Sequence, residues 1–288
     1  MMTTRTGAFR IGFRDALSWK ADTEAIARWA KEQSFAFLDL ADDGDRKLKK
    51  LKELGLGVGA VDLPNRKGMI AADRRKRKDA VAENTAFMKR CIGARIFLTL
   101  MLPDDPALER KQNFAFMVES YGELAGALEE SEAKLVIEGW PGPGCVCCTP
   151  EGYRAFLAEC PSDRVGINYD PSHLIRMGID PLRFLREFAD KVLHLHAKDT
   201  EIVTENLYEF GHEVPGIYTP PIPYGALSWR YTIPGHGQMR WAEAFRILEE
   251  SSYSGLVSIE LEDARFCDGT AASTQTALRL SGGYLTGC

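Results

Sequence analysis

The segment Val192-Leu193-His194-Leu195-His196-Ala197-Lys198-Asp199 begins as an apolar run and ends in polar side chains. An apolar run of this length predicts a β-strand. Because side chains alternate along a strand, His194 and His196 point to the same side of it. Other strands that end in polar side chains could share a site with these imidazoles.

Short apolar runs of this kind recur along the chain and alternate with amphipathic stretches such as the one carrying Leu48, Leu51 and Leu54 at helical spacing. Eight strands alternating with eight helices predict an α/β fold, a single (β/α)₈ TIM barrel domain over residues 1–288. The alternative is an open, doubly wound sheet, but no dinucleotide-binding glycine pattern follows the first strand. The predicted strands are 8–13, 35–40, 56–62, 95–100, 134–138, 164–169, 191–197 and 256–261, and the predicted helices are 22–33, 45–54, 73–91, a part of 106–131, 150–159, 180–189, 240–250 and one near 270–280.

A loop insertion interrupts the alternation of strands and helices after strand seven. It covers 200–232 and is rich in Pro, Gly and Tyr. Loops this long inside a compact barrel are usually functional. The segment would close over a substrate as a lid, form a dimer contact with a second copy of the chain, or pack on its own barrel. Six aromatic residues lie in it: Tyr208, Phe210, Tyr218, Tyr224, Trp229 and Tyr231.

Composition excludes several classes of protein. The chain has 36 Lys and Arg against 41 Asp and Glu, a formal charge of −5, and 45% of its residues are hydrophobic. These globular values exclude disorder, collagen and coiled coils, and the acidity argues against a nucleic-acid partner. No apolar run approaches the roughly 20 residues that span a bilayer, so no membrane partner is expected. Seven cysteines, an odd number, and an N-terminus without an apolar signal region predict a cytoplasmic protein.

Four predicted strands end in a potential metal ligand, and in a TIM barrel the carboxyl ends of the strands carry the chemistry. These residues are Glu138, Asp170, His196 and Glu260. Converging buried carboxylates repel one another, and a bound cation is the simplest remedy. Three carboxylates and one imidazole form an oxygen-rich site that favours Mn²⁺, with Mg²⁺, Co²⁺ or Zn²⁺ as alternatives.

The order of these motifs resembles that of the xylose isomerase-like TIM barrel superfamily, in particular its sugar phosphate isomerase and epimerase branch. The resemblance covers nearly the whole chain in strand order, and its specific motifs lie between Glu138 and Asp263. The motifs are Glu138, Asp170-Pro-Ser-His173, His194-Leu-His196-Ala-Lys198-Asp199, Pro234-Gly235-His236-Gly237 and Ile259-Glu260-Leu-Glu262-Asp263.

The resemblance implies one divalent metal ion held by Glu138, Asp170, His196 and Glu260. It also implies substrate contacts from the side chains around this set, with His173 as a substrate contact or an additional metal ligand. His194 lies one layer deeper in the barrel and would support the metal ligands or fill the core as a hydrogen-bonded histidine. The residues expected to bind substrate are His173, Lys198, Asp199 and His236.

The implied activity is that of a sugar isomerase or epimerase acting on a small ketose or related polyol. Glu138 and Glu260 would be the catalytic pair, one removing the proton next to a carbonyl and the other returning it. The alternative is a lyase of the inosose dehydratase type, which expels a hydroxyl group after the same proton removal. A non-enzymatic sugar-binding protein is a further alternative. An endonuclease IV-like enzyme fits less well, because it needs histidines from the early strands and all five histidines lie at position 173 or later.

Overall fold

Eight strands form one closed barrel in the computed structural model, which describes residues 1–15, 19, 22–160 and 162–288. The predicted parallel (β/α)₈ barrel is therefore confirmed. Around the barrel, the first strand pairs with the last, and the remaining strands follow in chain order. The barrel strands are β1 (Arg10–Arg14), β2 (Phe37–Leu40), β3 (Gly57–Asp62), β4 (Ile96–Leu100), β5 (Lys134–Glu138), β6 (Val165–Tyr169), β7 (Val192–Ala197) and β10 (Leu256–Ile259).

Helices follow the strands, and most begin at a residue that caps their free backbone N–H groups. Thr149 accepts from the N–H of Gly152, and Asp180 accepts from the N–H groups of Leu182 and Arg183. Within the described ranges no helix is both long and apolar enough to cross a membrane. The helices are α1 (Thr23–Glu32), α2 (Gly44–Leu54), α3 (Arg74–Arg90), α4 (Arg110–Glu130), α5 (Pro150–Glu159), α6 (Pro171–Arg176), α7 (Pro181–Phe188), α8 (Thr204–Phe210), α9 (Trp241–Glu250) and α10 (Ala271–Thr286).

The predicted insertion contains regular structure of its own. An antiparallel hairpin is formed by β8 (Asp199–Ile202) and β9 (Trp229–Thr232), and Thr200 lies opposite Tyr231 in it. Helix α8 and a long irregular segment connect the two strands. The partner strands lie more than 25 residues apart, so the short-range periodicity of the sequence did not indicate that they pair.

Two compact units divide the chain. The first comprises Met1–Phe37, Asp170–Asp190 and Leu195–Cys288, and it contains β1, β10 and the insertion. The second comprises Leu38–Tyr169 and Lys191–His194, and it contains strands β3 to β6. A single domain over 1–288 stays a prediction.

A buried polar pair lies inside the second unit. His194 Nε2 lies 2.8 Å from Asp39 Oδ2, and both side chains are fully buried. The other oxygen of Asp39 accepts the backbone N–H of Ala60 at 2.7 Å. This pairing satisfies both oxygens of a carboxylate that would be costly to bury alone.

We predict that Asp39→Ala destabilises the protein by about 3 kcal/mol, because it removes the hydrogen-bond partner of the buried His194 imidazole and of the buried backbone N–H of Ala60. Urea denaturation measures the change in the free energy of unfolding. Glu53→Ala is the control, since Glu53 and its partner Lys50 are about half exposed and the pair contributes about 0.5 kcal/mol or less. Equal stability of the two variants would contradict this account of the buried pair.

Candidate metal centre

The four predicted metal ligands lie together. Glu138 ends β5, Asp170 follows β6, His196 lies within β7 and Glu260 follows β10. Each residue offers one ligand atom, and the four atoms all lie within 4.8 Å of one another. Such a spacing allows a single cation to contact all four side chains.

Asp170 has two oxygens in different environments. Oδ1 accepts hydrogen bonds from the backbone N–H of Ser172 at 2.9 Å and from its hydroxyl at 2.6 Å, because Asp170 caps the start of α6. Oδ2 is buried, and no group among the described residues donates a hydrogen bond to it. It lies 3.3 Å from both His173 Nε2 and Lys198 Nζ. A buried carboxylate oxygen that lacks a hydrogen bond fits a metal ligand.

Lys198 is almost fully buried among carboxylates. Its Nζ lies 2.5 Å from Glu260 Oε2 and 3.0 Å from Glu262 Oε2, in addition to its contact with Asp170. Burial alone would lower the pKa of Lys198, but Asp170, Glu260 and Glu262 outweigh burial and hold the pKa well above its ordinary value. The ammonium group therefore stays charged and neutralises part of the cluster.

Arg14 supplies a second positive charge, since its Nε lies 3.3 Å from Glu260 Oε1. Across these described side chains, two cations face four carboxylates, which leaves a formal charge of −2. One divalent cation would bring that charge to zero. The donor set, the buried Oδ2 atom of Asp170 and this charge count all fit a divalent metal ion. The carboxylates are those of Glu138, Asp170, Glu260 and Glu262.

The remaining predicted histidines differ in their surroundings. His173 is buried, and its Nδ1 lies 2.7 Å from the hydroxyl of Tyr231. His194 contacts Asp39, and these two residues form a second potential ligand group with His196. His236 is exposed on a turn, where its backbone N–H donates to Ile233.

Asp199 anchors that turn. It is fully buried and accepts four hydrogen bonds, from the backbone N–H groups of Thr200, Gly235 and Met239 and from the indole of Trp241. Burial raises the pKa of Asp199 above its ordinary value, although the hydrogen bonds act in the opposite direction. The contacts describe a residue that supports the turn carrying His236, whereas a direct substrate contact from Asp199 stays a prediction.

Glycine is required where this turn approaches Asp199. A Cβ atom at Gly237 would lie 2.2 Å from Asp199 Oδ1, and Gly235 has a φ of +87°. Side chains other than hydrogen are disfavoured at both positions. The Pro-Gly-His-Gly motif is thereby explained as a turn wrapped closely around a carboxylate.

Arg14, Glu262 and Tyr231 contact the site, and the sequence assigned none of them a role there. Arg14 ends β1, one residue beyond the predicted strand, so an extension of that strand would have indicated it. Glu262 lies two residues after Glu260, beyond the end of β10, and both carboxylates contact Lys198. Tyr231 is brought to the site by the hairpin, which no local pattern indicated.

Comparison with known proteins identifies the family. A protein-family model described as xylose isomerase-like TIM barrel matches residues 13–281. The chain belongs to this family. The predicted membership of the xylose isomerase-like TIM barrel superfamily is thereby confirmed over residues 13–281.

Curated relatives match part of the chain. A Bacillus thuringiensis protein named inosose dehydratase is 32% identical over 173 residues, 56% of this chain and 53% of its own. The Bacillus subtilis protein YfiH, described as uncharacterized, is 37% identical over 101 residues, 34% of this chain and 31% of its own. The chain thus spans about half the length, or less, of these relatives.

Solved structures share the fold over nearly the whole chain. The 3-keto-D-glucoside 4-epimerase YcjR from E. coli has a TM-score of 0.71 at 15% identity, covering 97% of this chain and 100% of its own. A D-psicose 3-epimerase has a TM-score of 0.71 at 14% identity, covering 96% and 100%. A family member from Mycobacterium smegmatis in complex with magnesium has a TM-score of 0.64 at 16% identity, covering 99% and 100%.

We predict that the protein binds one divalent ion per chain and that Asp170→Asn weakens Mn²⁺ binding by about 100-fold or more. The expected loss exceeds the ~10–100-fold that removal of an outer hydrogen-bond partner typically costs. Isothermal titration calorimetry measures the affinity. Asp79→Asn, at an exposed position in α3, is the matched control and should bind as the unaltered chain does. Equal affinity of the two variants would exclude Asp170 as a ligand.

We also predict that Asp199→Asn destabilises the fold by about 2 kcal/mol. The new amide NH₂ would face backbone N–H donors that now share a carboxylate, leaving buried donors unpaired. Chemical denaturation measures the loss, with Asp163→Asn as the control at an exposed position. A loss no greater than that of the control would refute the anchoring role.

Proposed function

We propose that the protein is a divalent-metal-dependent isomerase or epimerase that acts on a small ketose or related polyol by removing a proton next to a carbonyl. The observation that carries this proposal is the grouping of Glu138, Asp170, His196 and Glu260 within 4.8 Å of one another. It combines a metal-ligand set with two glutamates that have the chemistry of an acid–base pair. Epimerases with the same fold are consistent with it.

The same four residues would hold the metal ion, for which we propose Mn²⁺ because most of the donors are carboxylate oxygens. When bound, the ion would act as a Lewis acid that polarises the substrate carbonyl and makes the neighbouring C–H more acidic. Burial of Asp170 and His196 excludes water from the surroundings of the ligands.

The two glutamates would divide the proton transfers. Glu260, which Lys198 and Arg14 contact, would remove the proton next to the carbonyl. Glu138 is contributed by another strand and would return the proton from the other face of the substrate carbon, which inverts its configuration. Return of the proton to the neighbouring carbon would give aldose–ketose isomerisation instead.

Lys198 and His236 are the substrate contacts that we favour. Lys198 Nζ contacts Asp170, Glu260 and Glu262, so it would reach a substrate by exchanging one of these contacts, and its charge would attract a hydroxyl or an anionic group. His236 is exposed on the turn that Asp199 anchors. His173 and Asp199 have their polar atoms against protein groups, so we assign them to holding the site in place.

A dehydratase of the inosose type is the second candidate, and the specific observation in its favour is the 32% identity to a relative of that name. Dehydration begins with the same removal of a proton and then expels a β-hydroxyl group. The proton that Glu260 has taken up would then pass to the departing hydroxyl, so that this group leaves as water. A cytoplasmic location and a homo-oligomer stay predictions.

One experiment separates these functions. Purified protein with Mn²⁺ is incubated in D₂O with a panel of ketoses and inositol-derived ketones, and the products are followed by NMR. Deuterium at the carbon next to the carbonyl, with inverted configuration, is the result expected for an epimerase. Loss of water from the substrate would identify the dehydratase. Binding without exchange would identify a sugar-binding protein, and cleavage of abasic DNA that Glu260→Gln abolishes would identify a nuclease.

We predict that Glu138→Gln and Glu260→Gln each slow deuterium exchange by about 100-fold or more, because each removes a proton-transfer group. Glu53→Gln on the surface of α2 is the matched control and should exchange at the original rate. Exchange at an unchanged rate in either active-site variant would remove that glutamate from the mechanism.

A further inference from the structure

We propose that Tyr231, a residue of the insertion, is a positioning residue that sets which nitrogen of His173 carries the proton and thereby orients the metal-ligand oxygen of Asp170. The proposal rests on the proposed metal site and concerns how that site is held. It assigns the insertion a part in the site in addition to any role as a lid or as a contact between copies.

A series of polar contacts connects the insertion to Asp170. Arg176 Nη1 donates to the hydroxyl oxygen of Tyr231 at 2.7 Å. That hydroxyl lies 2.7 Å from His173 Nδ1, and His173 Nε2 lies 3.3 Å from Asp170 Oδ2. Tyr231, His173 and Asp170 are all buried, so water does not compete for these contacts.

Arg176 determines which group donates in each of these hydrogen bonds. A guanidinium group only donates hydrogen bonds, so the oxygen of Tyr231 accepts from it and keeps its own proton for another partner. Burial raises the pKa of Tyr231, although the cations Lys198 and Arg176 act in the opposite direction, so the phenol stays protonated. Among the described groups in hydrogen-bond contact with this buried hydroxyl, His173 Nδ1 is the acceptor.

These hydrogen bonds determine the tautomer of His173. When Nδ1 accepts a hydrogen bond from the hydroxyl of Tyr231, the ring proton lies on Nε2, the nitrogen that faces Asp170 Oδ2. Ser172 holds the other oxygen of Asp170, so the carboxylate is oriented from both sides. His173 then has no lone pair left for a metal ion, which argues for a supporting role over that of an additional ligand.

The hairpin holds Tyr231 firmly in place. Its partner in β8, Thr200, donates its hydroxyl to the backbone carbonyl of Ser172 at 2.9 Å. Arg176 also lies over the ring of Trp229, 4.7 Å from its centroid. Both strands of the insertion therefore contact α6, the helix that Asp170 caps, and this arrangement suits an element that positions a ligand.

The first test reads the tautomer directly in the metal-free protein, by ¹⁵N NMR of labelled histidines with His173→Gln used to assign the His173 signals. We expect His173 to be unprotonated at Nδ1 and protonated at Nε2 in the unaltered chain. In Tyr231→Phe this preference should be lost, while Tyr208→Phe, which removes an exposed phenol from the same insertion, should keep it. A proton on Nδ1 in the unaltered chain, or an unchanged tautomer in Tyr231→Phe, would overturn the proposal.

The second test is a double-mutant cycle on Mn²⁺ affinity with Tyr231→Phe, His173→Gln and the double variant. We expect Tyr231→Phe to weaken binding by about 10-fold, and to have little further effect once His173 is replaced. An equal loss in both backgrounds would show that Tyr231 acts by some route other than His173 and would overturn the proposal. If the unaltered chain binds no metal, the proposed function fails, while the tautomer measurement still decides the role of Tyr231.

Discussion

Repulsion among buried carboxylates is the constraint on which the structure of this site depends. Glu138, Asp170 and Glu260 converge with His196 at the ends of barrel strands, and Glu262 lies close by. Lys198 and Arg14 neutralise part of this charge, and the remainder matches one divalent cation. Without compensating charge, such a cluster would oppose folding, because each buried carboxylate loses its hydration.

Compensation by Lys198 has a consequence for function. Its ammonium contacts Asp170 and Glu260, two of the proposed metal ligands, and lies 4.6 Å from the centre of the Tyr231 ring. A lysine so placed holds these two carboxylates in position. The site is thus organised in advance, which would reduce the reorganisation that the proposed reaction requires.

Local patterns were sufficient to predict the barrel and the grouping of the four candidate metal ligands. Each barrel strand is a short apolar run, and Glu138, Asp170, His196 and Glu260 stand at or near the ends of such runs. Parallel strands in a barrel bring these ends together, so the topology itself predicts that the side chains meet. The hydrogen bonds by which Asp199 holds the turn were less predictable, because their donors lie up to 42 residues away along the chain.

The contacts of the insertion could not be predicted in this way. Tyr231 meets His173 across 58 residues, and it does so because β8 and β9 pair over a segment without periodic pattern. Pairing between such distant strands depends on tertiary packing, which single-sequence patterns do not encode. The contact of Tyr231 with His173 therefore depends on the hairpin, and the sequence alone did not predict it.

The most direct test of the central claim is anomalous X-ray diffraction from crystals grown with Mn²⁺. We predict one anomalous peak in contact with side-chain oxygens of Glu138, Asp170 and Glu260 and with a ring nitrogen of His196. Crystals that show no anomalous peak among these four side chains at saturating Mn²⁺ would contradict the account.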